Sequence, residues 1–137
     1  MSAGMVTIAI AALHTVVGLV MAWAPLRDIV MSGVIGQVDS HWDRAAAFWF
    51  LFFGFLLAAY GDMLRRFERA AHAVPAQAGY QLAALCLGGA LVMPASGFWT
   101  GLIPAAMIIA RSRRQRTPHG RRHKVNSNLV HKWKGLA

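Results

Sequence analysis

Residues 45–60 read AAAFWFLFFGFLLAAY, an apolar and aromatic run that contains no charge. Asp43 and Arg44 open this run, and Gly61 and Asp62 close it. A helix needs about 20 predominantly apolar residues to cross a bilayer, and the run with its flanking glycine approaches that length. The stretch therefore predicts a membrane-spanning helix and an all-α protein.

Three further apolar runs accompany it. Residues 5–23 are uncharged and precede Pro25, which marks a stop. Two shorter runs are separated only by a tight turn at residues 94–97, so they should form a helical hairpin, with a re-entrant pair as the alternative. Pro104 should bend the last helix. We predict a domain over residues 1–110, with spans at about 5–23, 45–61, 78–93 and 96–110.

The composition agrees with a membrane protein. Hydrophobic residues make up 57% of the 137 residues and charged residues 14%, against about 25% charged in soluble chains. Residues 1–5 carry no Lys or Arg, so we expect no cleavable signal peptide. The single cysteine, Cys86, cannot form an intramolecular disulfide.

Positive charge is concentrated in a basic tail at residues 111–137. This tail contains nine of the 14 Lys and Arg residues, whereas all five acidic residues lie before residue 70. Basic residues stay on the cytoplasmic side of membrane proteins. The distribution predicts a four-helix bundle in the inner (plasma) membrane with both termini in the cytoplasm.

Small residues recur at helical spacing in every predicted span. Helices in lipid associate through such residues, which allow close backbone approach. We expect the four small-residue faces to meet centrally, and large side chains such as Phe48, Phe52 and Phe55 to face lipid or a partner. The predicted inward positions are Thr7, Ala11, His14, Gly18 and Ala22; Ala47, Gly54, Ala58 and Gly61; Gly79, Ala83, Cys86 and Ala90; and Gly97, Gly101 and Ala105.

His14 is the ionisable residue lying well inside a predicted span, which makes it a candidate ligand contact. The other candidates are Gln81, Trp49 and Phe52. A plain alternative is a neutral imidazole that hydrogen-bonds across the bundle to Gln81, Thr7 or Thr15. We predict no metal and no cofactor; a quinone or haem is an open alternative, with Met93 or Met107 as an axial partner for haem.

The sequence shows no recognisable catalytic constellation, so we assign no catalytic residue. No Asp or Glu lies mid-span, which argues against a proton-coupled drug exporter. The pairs Asp62 with Arg66 and Glu68 with His72 are four residues apart and indicate a solvated helix surface. A catalytic acid and base at the cytoplasmic rim is the alternative interpretation of these pairs.

The tail favours contact with anionic lipids of the inner leaflet. Its apolar residues recur at helical spacing around Trp133, as in an amphipathic surface helix. Docking of a protein partner is a second interpretation, and we do not expect nucleic acid. The candidate headgroup or partner contacts are Arg111, Arg113, Arg114, Arg116, Arg121, Arg122, Lys124, Lys132, Trp133 and Lys134.

Three segments together resemble an uncharacterised family of small bacterial four-helix membrane proteins, known as a domain of unknown function. They are LHTVVGLV at Leu13–Val20, AAAFWFLFFGF at Ala45–Phe55 and MPASGFWTGLIPAAMIIARSRR at Met93–Arg114. The resemblance covers about residues 5–114 and implies the four-helix fold. It implies no activity, and the tail beyond Arg114 exceeds it.

These observations favour a non-enzymatic membrane protein, although they leave enzymatic activity open. The leading hypothesis is an accessory subunit or lipophilic-ligand-binding module, whose partner is a larger membrane complex or a second copy of the chain. The rival is a small membrane enzyme or carrier that binds a quinone, a sterol-like molecule or haem near His14.

Overall fold

The computed structural model describes residues 1–70 and 74–115, and these residues form helices and connecting turns without a β-strand. The helices are α1 (Ala3–Met21), α2 (Trp23–Met31), α3 (Trp42–Arg69) and α4 (Ala76–Val92). A 3₁₀ segment, Gly97–Gly101, leads into α5 over residues 102–115. The prediction of an all-α fold is therefore confirmed for these residues.

The antiparallel pair of α1 and α3 packs through small residues, most of them predicted; Gly4 was not among the predicted positions. Gly18 of α1 lies against Phe50 and Leu51, and Gly4 lies against the backbone of Gly61 and Arg65. Small side chains let helix backbones approach closely where no hydrophobic drive brings them together. The predicted inward positions Thr7, Ala11, Gly18, Ala47, Gly54 and Gly61 are buried in this pair. Within the described residues α4 does not approach α1 or α3, so the expected central meeting of all four small-residue faces is not found there.

The hairpin of α4 and α5 packs in the same way. Gly79 faces Ala105, Ile108 and Ile109, and Cys86 contacts Gly101 through its sulfur. The Trp99 indole donates a hydrogen bond to the Pro94 carbonyl at 2.9 Å, which fixes the turn between the two helices. The predicted antiparallel approach of these two segments is confirmed.

Two expectations for the last segment are wrong. Gly97 is exposed and has open space around it, so it does not belong to the packing face. Pro104 lies in the first turn of α5, because the Ser96 hydroxyl accepts from the Phe98 N–H and starts a 3₁₀ turn instead of an α-helix. The first turn of an α-helix has no intrahelical acceptor for its N–H groups, so Pro104 breaks no α-helical hydrogen bond.

The connection between α1 and α3 contains α2 and an open turn. Pro25 falls in the first turn of α2, and α1 ends at Met21, two residues before the predicted end of the first span at residue 23. Ile29 is the buried residue of α2, whereas Val34 and Ile35 are exposed. Gly33, Val34 and Gly36 have positive φ angles, which end the helix at this point.

Among the described residues, two helices, α1 and α3, are long and apolar enough to cross a membrane, and α4 is apolar but shorter. These features weakly suggest a membrane location, because core helices of soluble proteins and signal sequences share them. In both α1 and α3, 22% of the most apolar stretch is buried within the chain.

Candidate functional site

A half-buried carboxylate joins three helices at the end of the molecule where the chain begins. Glu68, on the last turn of α3, accepts hydrogen bonds from the N–H groups of Ala3 at 2.9 Å and Gly4 at 3.1 Å. Arg111 of α5 donates to Glu68 at 2.7 Å and to the Met1 carbonyl at 2.7 Å. This Glu68 cluster places residue 1 and the final turn of α5 at the same end of the structure.

The Glu68 cluster provides hydrogen-bond acceptors for the free N–H groups at the N-terminus of α1. The first N–H groups of a helix have no intrahelical acceptor, and the helix dipole favours a negative charge beside them. The Ser2 hydroxyl accepts from the Met5 N–H and contributes a further hydrogen bond to Glu68. Glu68 therefore acts as a cap supplied by another helix.

Electrostatics at Glu68 follow from this geometry. Burial by itself raises the pKa of the Glu68 carboxyl, but hydrogen bonds from Gly4, Ala3 and Ser2 and the positive charge of Arg111 outweigh it and lower the pKa. The ionised form is therefore the one that the cluster stabilises. Sequence spacing indicated only a surface pair of Glu68 with His72, and His72 lies outside the described residues.

His14 lies in the contact between α1 and α3. Its Nε2 is 3.0 Å from the Phe50 carbonyl oxygen, so this nitrogen carries the hydrogen and donates it. The imidazole also stacks on the Phe50 ring at 3.9 Å between centroids and meets Phe53 edge-on at 5.8 Å. The interhelical hydrogen bond is thus made, but to a backbone carbonyl and not to Gln81, Thr7 or Thr15.

The two threonines that were candidate partners of His14 are engaged elsewhere. The hydroxyl of Thr7 donates to the Ala3 carbonyl at 3.0 Å, and that of Thr15 donates to the Ala11 carbonyl at 2.9 Å. Each bond satisfies the hydroxyl within its own helix. Gln81 is exposed on α4.

The outer face of α3 carries a cluster of aromatic rings. Phe48, Trp49 and Phe52 contact one another with centroid distances between 5.5 and 5.7 Å. All three rings are exposed, and Phe55 continues the row one turn later. We call these four residues the aromatic face. The structure brings Trp49 and Phe52 together there, on the outside of the α1–α3 pair, while His14 contacts Phe50 and Phe53.

Few of the predicted tail contacts fall within the described residues. Arg111 belongs to the Glu68 cluster, and Arg113 donates to the Tyr80 hydroxyl at 2.9 Å. Both guanidinium groups therefore lie at the end of the molecule where the chain begins. The remaining predicted contacts from Arg116 onward, including Trp133, lie outside the described residues.

Within residues 1–70 and 74–115, no three His, Cys, Asp or Glu side chains lie close enough together to hold a metal ion. The residues that could receive an organic ligand are the aromatic face and the imidazole of His14. The described part of the chain thus offers apolar, aromatic contacts and one polar ring.

Comparison with known proteins agrees with the resemblance noted in the sequence. No curated protein and no solved structure matches the chain. A family of unknown function, DUF6463, matches residues 1–115, which include all five helices and the Glu68 cluster. The chain belongs to this family of unknown function.

Proposed function

We propose that this chain is a multi-pass membrane protein that acts as an accessory subunit or lipophilic-ligand-binding module through the aromatic face of α3. In this proposal α1, α3, α4 and the segment 97–115 cross the bilayer as a four-helix bundle. Both termini lie in the cytoplasm, and the basic tail contacts anionic lipid.

Exposed apolar surface supports the membrane part of the proposal. Soluble monomers rarely expose contiguous apolar patches larger than a few hundred Å². Here α1 and α3 leave most of their apolar residues uncovered by the rest of the chain. The 19 residues of α1 give a length of about 28 Å, which matches the hydrocarbon thickness of about 30 Å.

The single observation that carries the functional part is the aromatic face. One side of α3 is packed against α1 through Gly54 and Gly61, while Phe48, Trp49, Phe52 and Phe55 project from its other surfaces. Aromatic rings contribute large contact areas at low conformational cost and are enriched at the centres of interfaces. A preformed aromatic cluster fits a helix of another subunit or a flat lipophilic molecule.

A photo-crosslinking amino acid at Phe55 should capture a discrete partner in native membranes. Phe55 is 62% exposed on the aromatic face, and Leu85, 73% exposed on α4, is a matched control position. We expect a defined protein or small-molecule adduct from position 55 and only heterogeneous lipid adducts from position 85, read by mass spectrometry. Lipid adducts alone at both positions would rule out the specific role of the aromatic face.

The rival function, binding of a quinone, sterol-like molecule or haem near His14, uses a different surface. The hydrogen bond to Phe50 and the ring stacking already occupy one nitrogen and one face of the imidazole. A visible absorption band or a bound mass that disappears in His14→Ala would favour the rival over the accessory role.

A further inference from the structure

Two arginines near the end of α3, Arg65 and Arg69, lie four residues apart. Their side chains make no hydrogen bond and no ion pair with residues 1–70 and 74–115. We propose that this arginine pair binds the phosphate group of one anionic lipid. The inference rests on the membrane location given under the proposed function, and it is independent of the aromatic face.

The two carboxylates at this end of α3 are already paired with other arginines. Asp62 pairs with Arg66 at 2.7 Å, and Glu68 pairs with Arg111 at 2.7 Å. Asp62 is within electrostatic range of the arginine pair, but Arg66 offsets its charge. Like charges four residues apart on a helix are neighbours and repel each other. An anion between the two guanidinium groups would replace this repulsion by attraction.

The Nε of Arg65 is a second sign of a missing ligand. It is shielded from solvent and has no hydrogen-bond partner, unlike the other buried side-chain N and O atoms in the described part of the chain. Buried donors are nearly always hydrogen-bonded, and an unpaired one lowers stability. The Nε and a terminal nitrogen of a guanidinium form an edge that matches two phosphate oxygens. A small rotation of the side chain would open this edge to a phosphate, which would supply the missing acceptor.

The packing of α1 on α3 positions one member of the pair. Gly4 lies against the backbone of Arg65, so the first turn of α1 fixes the point at which this side chain leaves α3. Arg65 is half-buried, whereas Arg69, one turn later, is exposed. The pair therefore combines a guanidinium held by packing with an exposed one that can adjust to a ligand.

The depth of the pair favours a lipid as the source of the phosphate. The predicted second span ends at residue 61, and α3 continues to Arg69. At about 1.5 Å per residue, Arg65 lies about 6 Å and Arg69 about 12 Å beyond that end. The headgroup layer is about 5–7 Å thick on each side of the hydrocarbon core, so Arg65 lies within it. A lipid phosphate is held at this depth by its acyl chains, whereas inorganic phosphate is not.

Lipid titration of the purified full-length protein in detergent tests the inference, with native mass spectrometry as the readout. We expect one retained phosphatidylglycerol. Arg65→Gln should weaken its binding about tenfold, equivalent to one lost charge-assisted contact, and Arg69→Gln should weaken it several-fold. Arg113→Gln is the control, because it removes the same charge from α5 beside Tyr80 of α4, and α4 does not contact α3. This control should bind as the wild type does.

Thermal unfolding without added lipid separates ligand binding from a structural role of Arg65. Arg65→Met keeps most of the side-chain length but removes the shielded, unpaired Nε. In delipidated detergent solution this variant should therefore unfold at a higher temperature than the wild type. Added phosphatidylglycerol should raise the unfolding temperature of the wild type and should have little effect on Arg65→Met.

Three outcomes would overturn the inference. Equal weakening in Arg65→Gln and Arg113→Gln would show general attraction to a basic surface. A lower unfolding temperature of Arg65→Met without lipid would show that Arg65 stabilises the fold. Inorganic phosphate that binds as tightly as the lipid would show a soluble anion as the ligand. Since the titration uses detergent and needs no partner, its failure is distinguishable from a failure of crosslinking at Phe55.

Discussion

Replacing Glu68 with glutamine should lower the free energy of unfolding by about 2–4 kcal/mol, the scale expected when buried donors lose a charged acceptor. The Glu68 side chain is 13% exposed and accepts from Ala3, Gly4 and Arg111. Glutamine keeps one acceptor oxygen, but its other group is an NH₂, which is itself a donor. It cannot accept the hydrogen bonds that the second carboxylate oxygen accepts. Unfolding in mixed detergent micelles, followed by tryptophan fluorescence, measures this loss.

A second carboxylate on the same helix provides the control. Asp62 pairs with Arg66 at 2.7 Å within α3, and both side chains are well exposed to solvent. Arg66 lowers the pKa of the Asp62 carboxyl, but exposed pairs contribute little to stability. Asp62→Asn should therefore leave the unfolding transition nearly unchanged, and equal losses in the two variants would contradict the capping role of Glu68.

Acidification should also distinguish the wild type from Glu68→Gln. The folded-state pKa of Glu68 is lowered, so its stabilisation is complete above the unfolded-state value of about 4.3 and disappears as the pH falls through the folded-state value. The wild type should lose stability on acidification below about pH 4.3, and Glu68→Gln should lose less over that range.

Gly4→Ala should be the most damaging single methyl addition in α1, lowering the free energy of unfolding by about 1–3 kcal/mol as overpacking typically does. The added carbon would lie 2.7 Å from Arg65 Cα and 2.7 Å from the Gly61 carbonyl oxygen. Both are backbone atoms, so only separation of α1 from α3 relieves the contact. That separation also lengthens the hydrogen bonds of the Glu68 cluster.

Gly88→Ala is the matched control for this substitution. Position 88 lies within α4 and has no heavy atom within 4 Å of an added carbon. Alanine in an open helical position should be neutral or stabilise by about 0.5–1 kcal/mol. Similar destabilisation by both substitutions, measured by the same micelle unfolding, would contradict the close α1–α3 approach.

Local spacing in the sequence predicts the helix pairs but not their polar contacts. Ala47, Gly54, Ala58 and Gly61 recur at helical intervals, so the packing face of α3 can be found within one segment. Gly4 lies before the predicted stripe of α1, which begins at Thr7. The bond from His14 to Phe50 depends on how far α1 slides along α3, which no local pattern specifies. Glu68 is 65 residues from Ala3 in sequence, and its capping role arises only when the helices meet.

The 3₁₀ segment shows a different limit of prediction from the sequence. A run of apolar residues from 96 onward predicts one continuous helix, yet the Ser96 cap and the neighbouring glycines favour a tighter first turn. The sequence also does not predict the cavity that Tyr80 of α4 and Ser112 and Arg113 of α5 line, because these residues meet only when the hairpin forms. Of these lining residues, only Arg113 is a candidate from the sequence, as one member of the basic tail.

Labelling of single cysteines in right-side-out membrane vesicles tests the membrane arrangement most directly. With Cys86 replaced by alanine, an impermeant maleimide should label Ser40→Cys, in the turn before α3, and should spare Gln115→Cys at the end of α5. Permeabilised vesicles should label both. Labelling of Gln115→Cys with protection of Ser40→Cys would invert the arrangement, and recovery of the unlabelled protein in the soluble fraction would contradict membrane insertion itself.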